Sequence, residues 1–257
     1  MKVVILAGGL GTRLAEETAV VPKPMVEVGG RPILWHIMKI YGSQGFDQFV
    51  VALGYKGDVI KRFFYEFQLL GGNITIDFAS ARVLPRSAPP EPWTLDLIET
   101  GAETMTGGRL KRLAPLLRDG PFMLTYGDGV ADVDLPRLLA YHKSHGRLAT
   151  ITAVRPPSRF GGLTFDGNGL VTQFSEKPQI GEGWINGGFM VLDPAVLDRI
   201  AGDESSLESD VLEELAKEGQ LAAYQHGAFW QCMDTLRDKR QLEQIWESGR
   251  AAWKLWS

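Results

Sequence analysis

Apolar positions along the chain follow two rhythms. Short, nearly unbroken apolar runs at 2–7, 49–53, 122–126 and 148–154 predict buried strands. Between them apolar residues recur at helical spacing. Ile33, Leu34, Ile37, Met38 and Tyr41 share one face, and so do Val59, Ile60, Phe63, Phe64 and Phe67. Residues 135–145 and 235–246 read as two more helices. Pro32 suits the first position of the helix that follows it. Residues 73–78 alternate as a strand should, while the proline-rich stretch 82–93 reads as an excursion from the sheet. Pro115 interrupts an otherwise helical segment at 108–118. An interior proline costs about 3 kcal/mol, so the expectation is a break with a new turn starting there.

After Pro156-Pro157 the pattern shortens and becomes more β-like, punctuated by Gly161-Gly162, Gly167-Asn168-Gly169 and Gly187-Gly188. This reads as additions to the same sheet, since no linker or repeat separates it. Trp246, Trp253 and Trp256 crowd the tail, where they cover either an interface or the chain's own core. Alternating strands and helices predict an α/β fold with a largely parallel sheet.

The first strand runs directly into Gly8-Gly9-Leu10-Gly11-Thr12-Arg13-Leu14, and Pro22-Lys23-Pro24 follows soon after. Glycines let backbone N–H groups approach phosphate oxygens where a Cβ would clash. Arg13 offers a planar fork and Lys23 a compact point charge. A dinucleotide fingerprint fails here, because Leu14 stands where its third glycine belongs, and no Gly-Lys-Ser/Thr completes a P-loop. The pattern therefore points to a triphosphate-handling loop.

Asp128 lies between Gly127 and Gly129 at the carboxyl end of a strand, where open α/β sheets bind ligands. It reads as a Mg²⁺ ligand or as a turn aspartate. Asp234 precedes a helix and is either a second carboxylate on that metal or, with Thr235 as the rival, a cap. Glu176 and Asn186 suit sugar hydroxyls and Lys177 a sugar phosphate; a surface ion pair and a glycine turn are the plainer alternative. The four histidines show no metal spacing, and Cys232 reads as a packed thiol. Arg109 stands out from Lys111 and Arg112, because Thr104-Met105-Thr106-Gly107-Gly108-Arg109 is a second glycine-containing turn.

Composition sets the outer limits. The 257 residues are 44% hydrophobic and 23% charged, ordinary for a soluble globular chain. A net charge of −4 argues against nucleic acid as the main partner. A lone cysteine allows no intrachain disulfide, which fits a reducing compartment. No signal peptide or membrane-spanning run is expected.

Together these strings resemble the sugar-phosphate nucleotidylyltransferases, and more narrowly their glucose-1-phosphate cytidylyltransferase branch. The likeness runs essentially end to end. It extends to Gly30-Arg31-Pro32-Ile33-Leu34-Trp35-His36, to Thr125-Tyr126-Gly127-Asp128-Gly129-Val130-Ala131-Asp132 and to Met233-Asp234-Thr235-Leu236-Arg237-Asp238-Lys239. The resemblance implies a Rossmann-like nucleotidyltransferase, or glycosyltransferase-A-like, fold, a mixed, mostly parallel sheet flanked by helices, in one domain over 1–257. Residues 1–130 would serve mainly the nucleotide, and 131–257 the sugar, the metal and oligomerisation. It implies the conversion of CTP and α-D-glucose 1-phosphate to CDP-glucose and pyrophosphate with Mg²⁺, by a cytoplasmic homo-oligomer, a hexamer. The product would feed dideoxysugar synthesis for surface polysaccharide. Carried over string by string, Leu6, Ala7, Gly8, Gly9, Leu10, Gly11, Thr12 and Arg13 hold the nucleotide, and Lys23 touches phosphate. Thr104, Arg109 and Gly127 line the nucleotide pocket, while Asp128 and Asp234 bind the metal. Val21, Cys232 and Ser209-Asp210 depart from the pattern, which bears on sugar selectivity. UTP or dTTP as donor, and a non-catalytic sugar-nucleotide-binding protein, are the alternatives.

Overall fold

In the first strand, Lys2–Leu6 (β1), side chains alternate into two separate cores. Val3 and Ile5 join one apolar cluster, and Val4 and Leu6 the other, so both faces of the strand are buried. The structure, a computed structural model, describes residues 1–9, 21–87, 91–156, 162–165, 171–175 and 183–256. Around β1 lies a seven-stranded sheet. Its other strands are Gln48–Leu53 (β2), Thr94–Glu99 (β3), Phe122–Tyr126 (β4), Ala149–Val154 (β5), Ile185–Leu192 (β6) and Leu221–His226 (β7). They lie in the order β7-β5-β6-β4-β1-β2-β3. Only β6 runs against its sheet neighbours, β4 and β5. Leu6 is level with Ala52 and with Tyr126, so three parallel strands end at one edge. Asn186 of the reversed β6 starts from that same edge, opposite Ala153.

Helices cover both faces. Ile33–Gly42 (α1) buries all five residues of the expected stripe, together with His36 and Ile40. Pro32 sits one position earlier than expected. It is the N-cap, with ψ near 143°, and pairs with Glu27 in a two-residue ribbon. Gly57–Leu70 (α2) buries only Gly57, Ile60 and Phe64. The segment around Pro115 breaks as expected into Thr106–Arg112 (α3) and a short turn at Ala114–Leu117, with Leu113 between. Leu135–His145 (α4) and Leu236–Glu247 (α5) are two further helices.

Three features depart from the sequence reading. Ile74–Asp77 pairs with Arg82–Pro85 as an exposed hairpin outside the central sheet, so part of the supposed excursion is itself a strand. Thr94–Glu99 is an edge strand that the proline-rich surroundings obscured. Gly187-Gly188 does not punctuate a turn but lies inside β6. Gly188 has φ of +81°, and a Cβ there would come within 2.7 Å of the Tyr126 ring. The tail tryptophans cover the chain's own core. Trp253 is fully buried, and Trp246, Trp253 and Trp256 all pack on His36.

Candidate active site

The shared strand edge opens into a cleft of about 470 Å³. Its floor carries Leu6, Ala7, Gly8 and Gly9 from the end of β1, and Tyr126, Gly127 and Asp128 from the end of β4. The Gly127 N–H donates to Leu6 O at 3.0 Å and ties the two strand ends together. A Cβ on Gly127 would come within 2.9 Å of Pro24 Cγ, so the glycine lets the Lys23–Met25 turn close over the edge. That turn buries Pro24 and Met25 and presents Lys23 to the cleft.

Lys23 Nζ donates to Asp128 Oδ2 and to Asp234 Oδ1, both at 2.5 Å. The two aspartates meet because Gly129–Ala131 pairs antiparallel with Trp230–Cys232, and the Met233 N–H donates to Asp128 O. All three side chains are sheltered, with Lys23 14%, Asp128 28% and Asp234 24% exposed. Burial alone would lower the Lys23 pKa, but the charges and hydrogen bonds of Asp128 and Asp234 outweigh it and raise it above its usual value. Asp234 is not the cap of α5. Thr235 is, in a capping box with Asp238, whose carboxylate also accepts the Asp234 N–H. Asp234 instead lines the cleft, where its carboxylate accepts from Lys23.

Arg109 lines the cleft too, yet its guanidinium is turned into the protein. It donates to Gly8 O, Leu53 O, Thr100 Oγ1, Gly101 O and Ala102 O at 2.7–3.2 Å. It lies across Gly8 and Gly54, where a Cβ would fall 2.2 and 2.4 Å from its Nη1. Burial, then the nearby Arg112, lowers its pKa. Arg109 therefore braces the glycine turn from behind with a full buried charge. Thr104 borders the same cleft. Asn186 sits beside it: Oδ1 accepts the Gly188 N–H, and Nδ2 lies 3.5 Å from the Tyr126 hydroxyl. Leu10, Gly11, Thr12, Arg13, Glu176 and Lys177 lie outside the described residues.

Sequence reasoning missed Glu208. Its carboxylate lines the cleft and accepts from Tyr126, Thr106 and Ser206. It sits in the polar string Asp203-Glu204-Ser205-Ser206-Leu207-Glu208, directly before the Ser209-Asp210 departure, and nothing in that string sets it apart from its acidic neighbours. Cys232 Sγ lies 3.7 Å from Asp234 Oδ2, and burial with that carboxylate pushes the thiol up to about 12. It is a packed thiol, as its isolation in sequence suggested. The histidines all have protein partners: Val28 O for His36, Thr150 for His142 and His145, Phe229 O for His226.

Among the described residues no cluster of three or more side chains could hold a metal. Two carboxylates converging on one positive charge are nonetheless the hard-oxygen donor set Mg²⁺ takes from a protein, which typically supplies one or two carboxylates and leaves the rest to substrate phosphates and water. The donors fit the ion.

A glycine turn, a lysine and paired carboxylates at the carboxyl edge of a parallel sheet make a candidate nucleotide site of the phosphate-handling kind. The family described as nucleotidyl transferase matches residues 2–247. The chain belongs to this family, within its glucose-1-phosphate cytidylyltransferase branch, and is an enzyme of nucleotidyl transfer. It is 52% identical over 257 residues, all of both chains, to glucose-1-phosphate cytidylyltransferase of Salmonella typhi. To the probable glucose-1-phosphate cytidylyltransferase of Bacillus subtilis (strain 168) it is 42% identical, again over the full length of both. The crystal structure of HddC from Yersinia pseudotuberculosis is similar, with a TM-score of 0.70 and 27% identity, over 95% of this chain and 99% of that one.

Proposed function

We propose that this enzyme transfers the cytidylyl group of CTP to α-D-glucose 1-phosphate, giving CDP-glucose and pyrophosphate. The observation that carries the reading is Lys23 held between Asp128 and Asp234 at the mouth of a glycine-floored cleft. An oxygen of the sugar phosphate attacks the α-phosphorus in line. One P–O bond forms while the bond to the α,β-bridging oxygen breaks, and that oxygen leaves with its electron pair on pyrophosphate. No covalent enzyme intermediate is required, so the protein's task is positioning and charge stabilisation.

Asp128 and Asp234 would hold Mg²⁺, which neutralises phosphate oxygens. Lys23 spends two of its three N–H donors on those carboxylates and turns its charge toward the α-phosphate and the incoming sugar phosphate. At Gly9 a Cβ would stand in open space, so bare backbone there can approach the phosphates, while Gly8 makes room for Arg109 behind the turn. Arg109 keeps that turn in place and adds positive potential behind it. Arg13 is assigned to the departing pyrophosphate, Thr104 and Gly127 to the nucleoside, and Asn186, Glu176 and Lys177 to the sugar phosphate.

We read the enzyme as a cytoplasmic homo-oligomer. Ile76, Phe78, Val83 and Leu84 are exposed around one hairpin, an apolar surface that a second copy could cover. Among the described residues no helix is long and apolar enough to cross a membrane. Pyrophosphate release with ATP, CTP, GTP, UTP and dTTP, each with glucose 1-phosphate, tests the reaction. CTP is expected to be preferred. Preference for UTP overturns the choice of base, and no release with any nucleotide overturns catalysis.

A further inference from the structure

Of the three carboxylates that line the cleft among the described residues, Asp128 and Asp234 bond Lys23, and Glu208 is held by hydroxyl groups instead. It is the second residue of a π-helical segment, Leu207–Leu212, a conformation that is rare and concentrated at functional sites. Its Oε1 accepts from the Tyr126 hydroxyl at 2.5 Å. Its Oε2 accepts from Thr106 Oγ1 at 2.6 Å and Ser206 Oγ at 3.0 Å. Each flanking hydroxyl of Thr106 and Ser206 is itself fixed by a backbone N–H, from Leu207 and Ser209 respectively. The carboxylate is thus locked in orientation by three elements: β4, α3 and its own segment.

Burial would raise its pKa, but the hydrogen bonds it accepts, those of Thr106 and Tyr126 foremost, hold it below the usual carboxylate range. An ionised carboxylate only accepts, with about four lone-pair positions. Among the described residues Oε2 takes two side-chain donors and Oε1 one, and the Glu208 N–H also lies against the carboxylate, so Oε1 is the less engaged oxygen of a residue that lines the cleft. A group held this firmly cannot turn away from a mismatched ligand. It rewards an N–H or O–H donor and penalises a carbonyl oxygen in the same place.

We propose that Glu208 is a specificity-determining residue: Oε1 accepts a hydrogen bond from a donor group of the bound substrate and rejects an acceptor there. The inference rests on the reading of this cleft as the nucleotidyl-transfer site. Two donors offer that chemistry. Cytosine presents an amino group where uracil presents a carbonyl, and the sugar presents hydroxyls.

Glu208→Gln tests it, because the amide keeps the shape and can donate where the carboxylate cannot. Steady-state kcat/KM is measured with CTP and UTP, and KM with glucose 1-phosphate, alongside the melting temperature. A fall of about tenfold or more in the CTP-to-UTP ratio supports the proposal, with the base as the source. An unchanged ratio with a comparable rise in sugar-phosphate KM supports it, with the sugar as the source. If both stay at wild-type values while only the melting temperature falls, Glu208 is packing alone and the proposal is overturned. Glu208→Asp, which keeps the charge but withdraws it by a methylene, is read by the same ratios should the glutamine variant fail to fold. Should the wild-type enzyme itself favour UTP, the base assignment falls. A shift in the nucleotide ratio on substitution would still support Glu208.

Discussion

Replacing Lys23 with methionine removes a charge while keeping most of the side chain's length. Two carboxylate oxygens then face each other, no farther apart than two 2.5 Å hydrogen bonds laid end to end. At that separation and an effective dielectric near 20, their repulsion is about 3 kcal/mol. Both aspartates keep about a quarter of their surface in water, so rotation and solvent relieve part of it, leaving a net cost of about 2 kcal/mol. For a chain of this size that lowers the melting temperature by about 4–8 °C. Millimolar Mg²⁺ can take the vacated charge position, so it should restore much of the lost stability in the variant. It should raise the wild-type melting point less, because there Lys23 competes for the same oxygens. Turnover should fall in the variant even with Mg²⁺ present. The wild-type pair is insensitive to pH near neutrality: the raised Lys23 pKa means its contribution is complete below 10.5 and fades only as pH climbs through the higher folded value. Differential scanning calorimetry with and without Mg²⁺ reads all of this except turnover, which pyrophosphate release reads. An unchanged melting temperature, or equal Mg²⁺ stabilisation of both proteins, would refute the reasoning.

Asp234→Asn should lose about 100-fold or more in turnover and keep its melting temperature, because Thr235 and Asp238 carry the helix cap; wild-type turnover would remove Asp234 from the metal. Arg109→Met removes a buried fork that bridges five acceptors, three of them on the buried residues Gly8, Leu53 and Thr100, and should cost about 3–5 kcal/mol in urea unfolding. Arg109→Lys should not rescue it, since an ammonium cannot span contacts from Gly8 O to Ala102 O, and a wild-type midpoint for the lysine variant would sink that account. His36 is buried and neutral: its Nε2–H donates to Val28 O at 2.8 Å, Nδ1 accepts from Trp253, and burial lowers its pKa to about 4. The unfolded imidazole gains a proton below pH 6.5 and the folded one does not until about pH 4. Stability should therefore drop by about 3 kcal/mol across that window. His36→Gln should flatten this acid slope, and an unaltered slope in denaturant titrations at several pH values would assign it to other groups.

The hydrophobic rhythm alone announced β1, β2, β4 and β5, the stripe of α1 and the break at Pro115, because strand and helix periods are local properties of the chain. The glycine turn, Lys23 and the two aspartates stood out in sequence as candidates for a related reason: their residue types limit what chemistry they can do. Proximity was not legible. Nothing near Asp128 or Asp234 in sequence says that a two-strand ribbon brings both to one lysine, since β pairing joins segments at any separation. Capping was settled the same way, by which oxygen reaches the N–H groups of α5, and it went to Thr235. Arg109 lines the cleft, as its place after a glycine turn suggested, but its bracing of Gly8 was not legible, because only the packed turn supplies the carbonyls that claim its fork. Glu208 became visible only once folding had buried one end of a polar string against Tyr126 and Thr106. Local order follows from short-range sterics and periodicity; the site depends on contacts between distant segments, and only the packed chain decides those.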